Sequence, residues 1–275
     1  NLNFLEHKKR SEAAVRERAE NSLRIALKNG LRAIRSHVDI FPPNEFTSWD
    51  VLVDLKYEWS GVIDLQLVCL VPLNYWSTSE ARHLASHISS SEGLLGGVLI
   101  PPVDGPSTRK ALIDLFYLAE EFDCGVDLHI DEHVIQPAAG LSQLLEVLDS
   151  ISLSVPLTCS HVSSLGLLHS SSLHRLSERL AAHQVGVVAL PLTNAWLLGR
   201  RGLSTPVMRP LAPIAQLQRS GVTVAVGGDN VQDAWFPAGN FDPLSLMAFS
   251  LPLAQLAPWT RLGLAAFTTA ASRLM

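Results

Sequence analysis

Cysteine is scarce in this sequence and follows no pattern. Cys69, Cys124 and Cys159 lie far apart, in or beside apolar runs, and no C-x-x-C pair occurs. Neither a zinc ribbon nor the cysteine-rich zinc site of the small nucleoside deaminases is therefore available. The three read instead as buried thiols in a reducing compartment, which implies a cytoplasmic protein. Long charge-free apolar runs are also missing, and none reaches the ~18 residues that would span a bilayer. The amino end lacks a signal-peptide layout. It begins with Asn1 rather than Met, so an upstream part is expected to have been removed or left out. Charge of one sign is concentrated nowhere. The 21 Lys and Arg are scattered among 26 Asp and Glu for a net charge of −5, which gives a nucleic-acid backbone nothing to bind. A small-molecule protein without nucleic-acid or membrane partners is left, with homo-oligomerisation open.

What is present is a rhythm. At roughly 30-residue spacing a short apolar run is followed by an amphipathic stretch. The runs are Leu31 to Ile40, Val62 to Val71, Gly96 to Ile100, Gly125 to Ile130, Val155 to Ser160, Val185 to Leu192 and Val222 to Gly227. Several lack strict alternation, as strands buried on both faces do. Helices are expected over 9–29, ending at Asn29-Gly30, and after Ser77-Thr78-Ser79-Glu80, which has capping-box spacing. Further helices are expected over 107–122, 140–151, 171–183, 210–220, 242–256 and 258–274. Such alternation implies a parallel sheet. The 275 residues, 47% hydrophobic and 17% charged, suit one (β/α)8 TIM-type barrel domain over 1–275 rather than a disordered chain. Seven strands, with an eighth lost before the leading helix, would close it. A doubly wound open sheet is the rival. Against it, Ser36-His37-Val38-Asp39 stands where that fold would have a glycine-rich phosphate loop.

Catalytic groups of a barrel sit at the carboxyl ends of its strands. Those ends carry His37 and Asp39, then Gln66, Pro101-Pro102, His129 with Asp131 and Glu132, His161, Asn194, and Asp229 with Asn230. Singly, each has a plain explanation: a histidine bonded to a nearby carbonyl, an aspartate capping a helix, a glutamine bonding its neighbours. Four ends of seven finishing in His, Asp or Glu are not a packing pattern. The chemistry that fits is metal-assisted hydrolysis, in which a divalent ion held by imidazole and carboxylate lowers the pKa of water to around 7. His129, His161 and Asp229 are ligand or near-ligand types. Glu132, beyond the strand end, is placed for a proton shuttle. Binuclear barrel hydrolases need a bridging carboxylated lysine at a strand end. Lys8, Lys9, Lys28, Lys56 and Lys110 all fall in expected helices or loops, so a single ion is expected. Iron, zinc and manganese all suit such ligands.

Arg35-Ser36-His37-Val38-Asp39, Asp64-Leu65-Gln66-Leu67-Val68 and Asp127-Leu128-His129-Ile130-Asp131-Glu132 resemble the cytosine deaminases in order and spacing. So do Ser160-His161, Pro191-Leu192-Thr193-Asn194 with Gly199-Arg200, Arg201-Gly202, and the long segment Gly228 to Gly239. The likeness covers almost the whole chain and points to the metal-dependent amidohydrolase superfamily. It implies that His129 is a metal ligand and that Asp229 contacts the metal and activates water. It implies that Glu132 protonates the ring nitrogen and then the departing amine, and that His161 polarises the attacked centre. Gln66 would read the amide-like edge of a pyrimidine. Asn194 falls among the expected substrate contacts, and Trp235 near the pocket, with core packing as its alternative. Iron or zinc is the implied cofactor.

Three departures accompany the likeness. The family's first-strand H-x-H is absent, and so is the small β-domain built from both chain ends, so the chain reads as truncated at both ends. Gly228 and Asn230 stand where the family has the outer His and Asp of H-D-D, while related enzymes acting on triazines carry Asp-Asn. The loop Pro101-Pro102-Val103-Asp104-Gly105 lacks the family's His. The reading is hydrolytic deamination of cytosine or a related amino-substituted nitrogen heterocycle. Its alternatives are hydrolysis of a cyclic amide or N-alkylamino heterocycle by the same site, and an inactive barrel kept as a binding subunit.

Overall fold

The computed structural model describes residues 10–40 and 46–275. Helix α1 (Glu12–Lys28) buries Val15, Leu23 and Ala26, is capped by the Ser11 hydroxyl on the Ala14 amide, and ends at Asn29-Gly30. Gly30 has φ +88°, the left-handed turn that glycine takes without steric cost. The alternation then runs β1 (Ala33–Asp39), α2 (Thr47–Glu58), β2 (Asp64–Pro72), α3 (Ala81–Ser89), β3 (Leu94–Leu99), α4 (Gly105–Glu121) and β4 (Val126–Ile130). It continues with α5 (Ala139–Leu148), β5 (Leu157–His161), α6 (Ser170–Ala182), β6 (Gly186–Ala189), α7 (Pro191–Leu197), α8 (Ile214–Arg219) and β7 (Val224–Val226). Helices α9 (Pro243–Leu253), α10 (Arg261–Ala265) and α11 (Thr269–Leu274) close the order.

All the expected strands form, and they pair in parallel in chain order, β1 to β7. The sheet is curled. His37 on β1 and His129 on β4 are three strands apart, which in a flat sheet would separate them by roughly 14 Å. Their rings meet at 4.5 Å between centroids. The fold is thus a barrel-like parallel sheet wrapped by helices. Val68, Cys69, Leu95, Val126, Leu128, Cys159 and Val187 are fully buried, as expected for strands covered on both sides. A smaller apolar cluster joins α1 to α2 through Leu23, Ala26 and Leu55. Cys69, Cys124 and Cys159 are all buried free thiols. Among the described residues no helix is long and apolar enough to cross a membrane.

Several local expectations need correction. Ser77 does not cap α3: its hydroxyl donates to Asp114, and Glu80 at the helix start has no capping side chain. The sixth run stops being strand at Ala189, because Pro191 opens α7, so Asn194 sits on a helix rather than at a strand tip. Pro210 and Pro213 shorten the expected 210–220 helix to α8, and the stretch 258–274 divides into α10 and α11. Helix α2 was not expected. The lysine expectation holds for Lys28, Lys56 and Lys110, each in a helix; Lys8 and Lys9 lie outside the described residues, as does the start of the 9–29 stretch.

Candidate metal-binding active site

Side chains two apart on a strand point to the same face, and the site is built in layers on that rule. Arg35 and His37 of β1 face inward, as do Asp127 and His129 of β4. In the lower layer the Arg35 guanidinium donates to Asp127 Oδ2 at 2.7 Å, to Gln66 Oε1 at 2.6 Å and to the Leu274 carbonyl. The Ser160 hydroxyl donates to Asp127 Oδ1 at 2.8 Å, and His37 Nε2 stands 3.4 Å from the same oxygen. Burial opposes ionisation of Asp127, but His37 and Arg35 outweigh it and hold the carboxyl well below the usual range.

The upper layer holds the metal-type residues. The His129 ring lies 4.5 Å from that of His37 and 4.7 Å from that of His161. His37, Asp127 and His129 offer ligand atoms within 4.8 Å of one another, and so do Glu132, His161 and Asp229. Burial drives both imidazoles toward the neutral form: His129 falls well below its ordinary value and His161 to about 3, with His37 adding to each shift. Neutral imidazole is the ligating form. Burial raises Asp229 to about 6. Burial also raises Glu132 to about 8, helped by the charge of Asp229.

Asn194 organises the proton-transfer end. Its amide nitrogen lies 3.1 Å from Glu132 Oε1 and 3.1 Å from His161 Nδ1. With that amide donating to both, the proton of the His161 ring sits on Nε2. The strand ends turn sharply to aim these groups: Asp131, His161, Val162 and Asp229 have φ of 58°, 73°, 44° and 59°. Non-glycine residues persist in that region only where surrounding structure holds them, and such positions gather at active sites. Asp131 does not join the cluster. Its carboxylate accepts from the Gly140 and Leu141 amides at 3.1 and 2.9 Å and caps α5 from a distance.

The residues fit a cation. His129 Nδ1, His161 Nε2 and Asp229 Oδ2 are buried polar atoms with no hydrogen-bond partner among the described residues. Buried polar atoms are rarely left so unless an ion or its water satisfies them. The sequence-derived set is thus partly gathered: His129, Glu132, His161, Asp229 and Asn194 share the mouth of the sheet. Gln66 lies in the lower layer, in register with Arg35, its amide nitrogen 3.2 Å from the Met275 carbonyl. Trp235 is 41% exposed on a loop whose turn is held by Asp233 through the Trp235 and Phe236 amides. Asp127 and Arg35 carried no role in the sequence reading, and His37 none beyond its place at a strand end. The available signal was an acid and a base in apolar strands, each two residues before a histidine.

The chain's relatives and structural neighbours include deaminases and amidohydrolases acting on carbon–nitrogen bonds, of the metal-dependent amidohydrolase superfamily. A pterin deaminase of Rhizobium rhizogenes is 29% identical over 239 residues, 86% of this chain and 54% of that protein. An N-isopropylammelide isopropyl amidohydrolase of a Pseudomonas species is 23% identical, over 78% of this chain and 50% of that protein. The chain thus spans about half the length of the curated relatives it matches. Among solved structures, 5-methylcytosine deaminase of Klebsiella pneumoniae superposes with a TM-score of 0.85 at 25% identity, over 96% of this chain and 64% of that one. No protein-family model matches the sequence.

Proposed function

We propose that the chain carries, in one barrel domain, the catalytic site of a cytoplasmic hydrolase that removes ammonia from an amino-substituted nitrogen heterocycle, using one divalent metal ion such as iron or zinc. The observation that carries this reading is Glu132. It is a carboxylic acid kept protonated near neutral pH, 3.4 Å from the His161 ring, beside Asp229 and on the wall of a cavity. An acid with those neighbours is suited to give a proton to a ring nitrogen, where most carboxylates are ionised.

His129 and Asp229 would hold the ion, with His161 alongside. Bound there, a divalent cation lowers the pKa of water to around 7 and makes hydroxide available. Asp229 accepts the proton of the attacking water. His161, with its proton on Nε2, donates a hydrogen bond to the incoming oxygen. Glu132 delivers its proton to the ring nitrogen as the carbon–oxygen bond forms, so the C=N bond becomes C–N(H). Glu132, ionised by that transfer, takes up the proton collected by Asp229 and passes it to the amine; the carbon–nitrogen bond breaks, ammonia leaves, the proton of the new hydroxyl returns to Glu132, and the ring keeps a carbonyl. Asn194 positions both Glu132 and His161, and Gln66 and Trp235 are assigned to substrate contact.

Cytosine and pterin are the first substrates to try: the cytosine resemblance is carried by the motifs, and the pterin deaminase is 29% identical. Full-length, metal-loaded protein should release ammonia from at least one member of a panel of pyrimidines, pterins and aminotriazines. No turnover across the panel would end the proposal. A second reading, hydrolysis of an N-alkylamino group or a cyclic amide, is favoured by the N-isopropylammelide enzyme among the relatives. Release of alkylamine or a ring-opened acid in place of ammonia would establish it.

A further inference from the structure

A cavity of about 640 Å³ opens beyond Glu132. It is in the middle of the ~300–1,000 Å³ range of pockets for drug-sized ligands, and larger than a lone six-membered ring requires. Its walls are largely apolar, among them Val134, Leu197 and Val207, and its polar lining residues are Glu132, His133, Arg200 and Arg201. Both arginines are exposed, and neither has a carboxylate partner among the described residues. The Arg200 guanidinium lies over the Trp196 ring, 4.6 Å from its centroid, which restrains its orientation. The surrounding sequence is biased too. Between Glu178 and Asp229 the chain has Arg179, Arg200, Arg201, Arg209 and Arg219 and no Asp or Glu, within a protein of net charge −5.

Apolar walls suit the flat faces of a fused ring system, and guanidiniums without a carboxylate partner bind carboxylates through charge-assisted hydrogen bonds. We infer that the substrate is a bicyclic amino-heterocycle carrying an anionic substituent, with the amine-bearing ring at Glu132 and the carboxylate at Arg200 and Arg201. This deepens the deaminase reading and rests on it for the placement of the ring. Among the described residues Glu132, at the reacting end, is the one carboxyl lining the cavity, so the arginine end keeps its attraction for an anion.

The test is direct binding of two fluorescent probes, pterin and its ring-carboxylated derivative, to full-length metal-loaded protein. At low salt the carboxylated probe should bind about tenfold more tightly, the size of one charge-assisted hydrogen bond. That ratio should fall toward one in the double variant Arg200→Gln with Arg201→Gln. In the unmodified protein it should shrink as salt rises to roughly 0.5 M, where exposed charges are screened, so the test does not depend on the variant folding. Equal affinities for the two probes, binding of neither, or a preference that survives loss of both guanidiniums would overturn the inference. Ammonia release, followed in parallel, separates the two claims. Arginine-dependent binding without turnover sinks deamination and leaves the anion site standing. Turnover with no preference for the carboxylated probe does the reverse.

Discussion

At the level of single residues, Glu132 bears the most chemistry. Glu132→Gln keeps the shape and the Asn194 contact but has no proton to give, so kcat should drop roughly 10²–10⁴-fold, the usual share of a general acid. Metal content by elemental analysis should not change, because Glu132 is not assigned as a ligand. Activity should also fall with rising pH as Glu132 ionises. The alkaline limb lies at or below about pH 8, since a bound cation draws a neighbouring acid downward. Stability of the metal-free protein follows from the same shifts. Glu132 is raised from 4.5 to about 8, so its contribution is full below pH 4.5 and is lost as pH climbs to about 8. His161 is lowered from 6.5 to about 3, so its contribution is full above pH 6.5 and is lost as pH falls through about 3. Urea midpoints should therefore decline between about pH 6.5 and 8, where only the carboxyl effect operates. A midpoint that rises across that interval would contradict the protonation states assigned here. The buried pair below is a matter of structure. Asp127 is fully buried and the Arg35 side chain is 10% exposed, so Asp127→Ala strands a guanidinium and should cost about 3–5 kcal/mol in chemical denaturation.

Among the elements, β2 and β3 approach unusually closely at Gly96. A Cβ there would lie 2.3 Å from the Cys69 carbonyl oxygen, so Gly96→Ala must push the strands apart. A loss of about 1–3 kcal/mol is expected, typical of overpacked cores, read from thermal melts. A variant as stable as the parent would show that the strands yield more easily than this contact implies. The elements also show what can be read from sequence alone. Strands such as Val126–Ile130 and Leu157–His161 were legible because short, largely uncharged runs recur at roughly even spacing between amphipathic stretches. Helix α2 was passed over: its buried Trp49, Val51 and Leu55 occupy little more than two turns between a proline pair and the next apolar run. The upper layer of the site was legible because its polar groups end apolar runs. The lower layer was not, because Arg35 and Asp127 acquire meaning only once the sheet curls, which no local pattern announces. Asn194 was found for the wrong position, since Pro191 converts the end of a strand-like run into helix.

For the molecule as a whole, a cation held at the mouth by His129 and Asp229 would tie together strands that the sheet's hydrogen bonds do not join directly. Zinc, iron or manganese at about a hundredfold above its dissociation constant should add about 2.7 kcal/mol and raise the melting temperature of the metal-free protein by roughly 5–10 °C. A chelator should reverse the shift, and a melting temperature indifferent to all of them would remove the metal site. The curl has a kinetic side as well. Arg35 meets Asp127 across 92 residues of chain and Leu274 across 239, so the cradle beneath His129 assembles only after distant segments have found one another. Contacts of such long range form slowly and late. During refolding, helical signal should return first, and the capacity to capture a metal ion should be among the last properties regained.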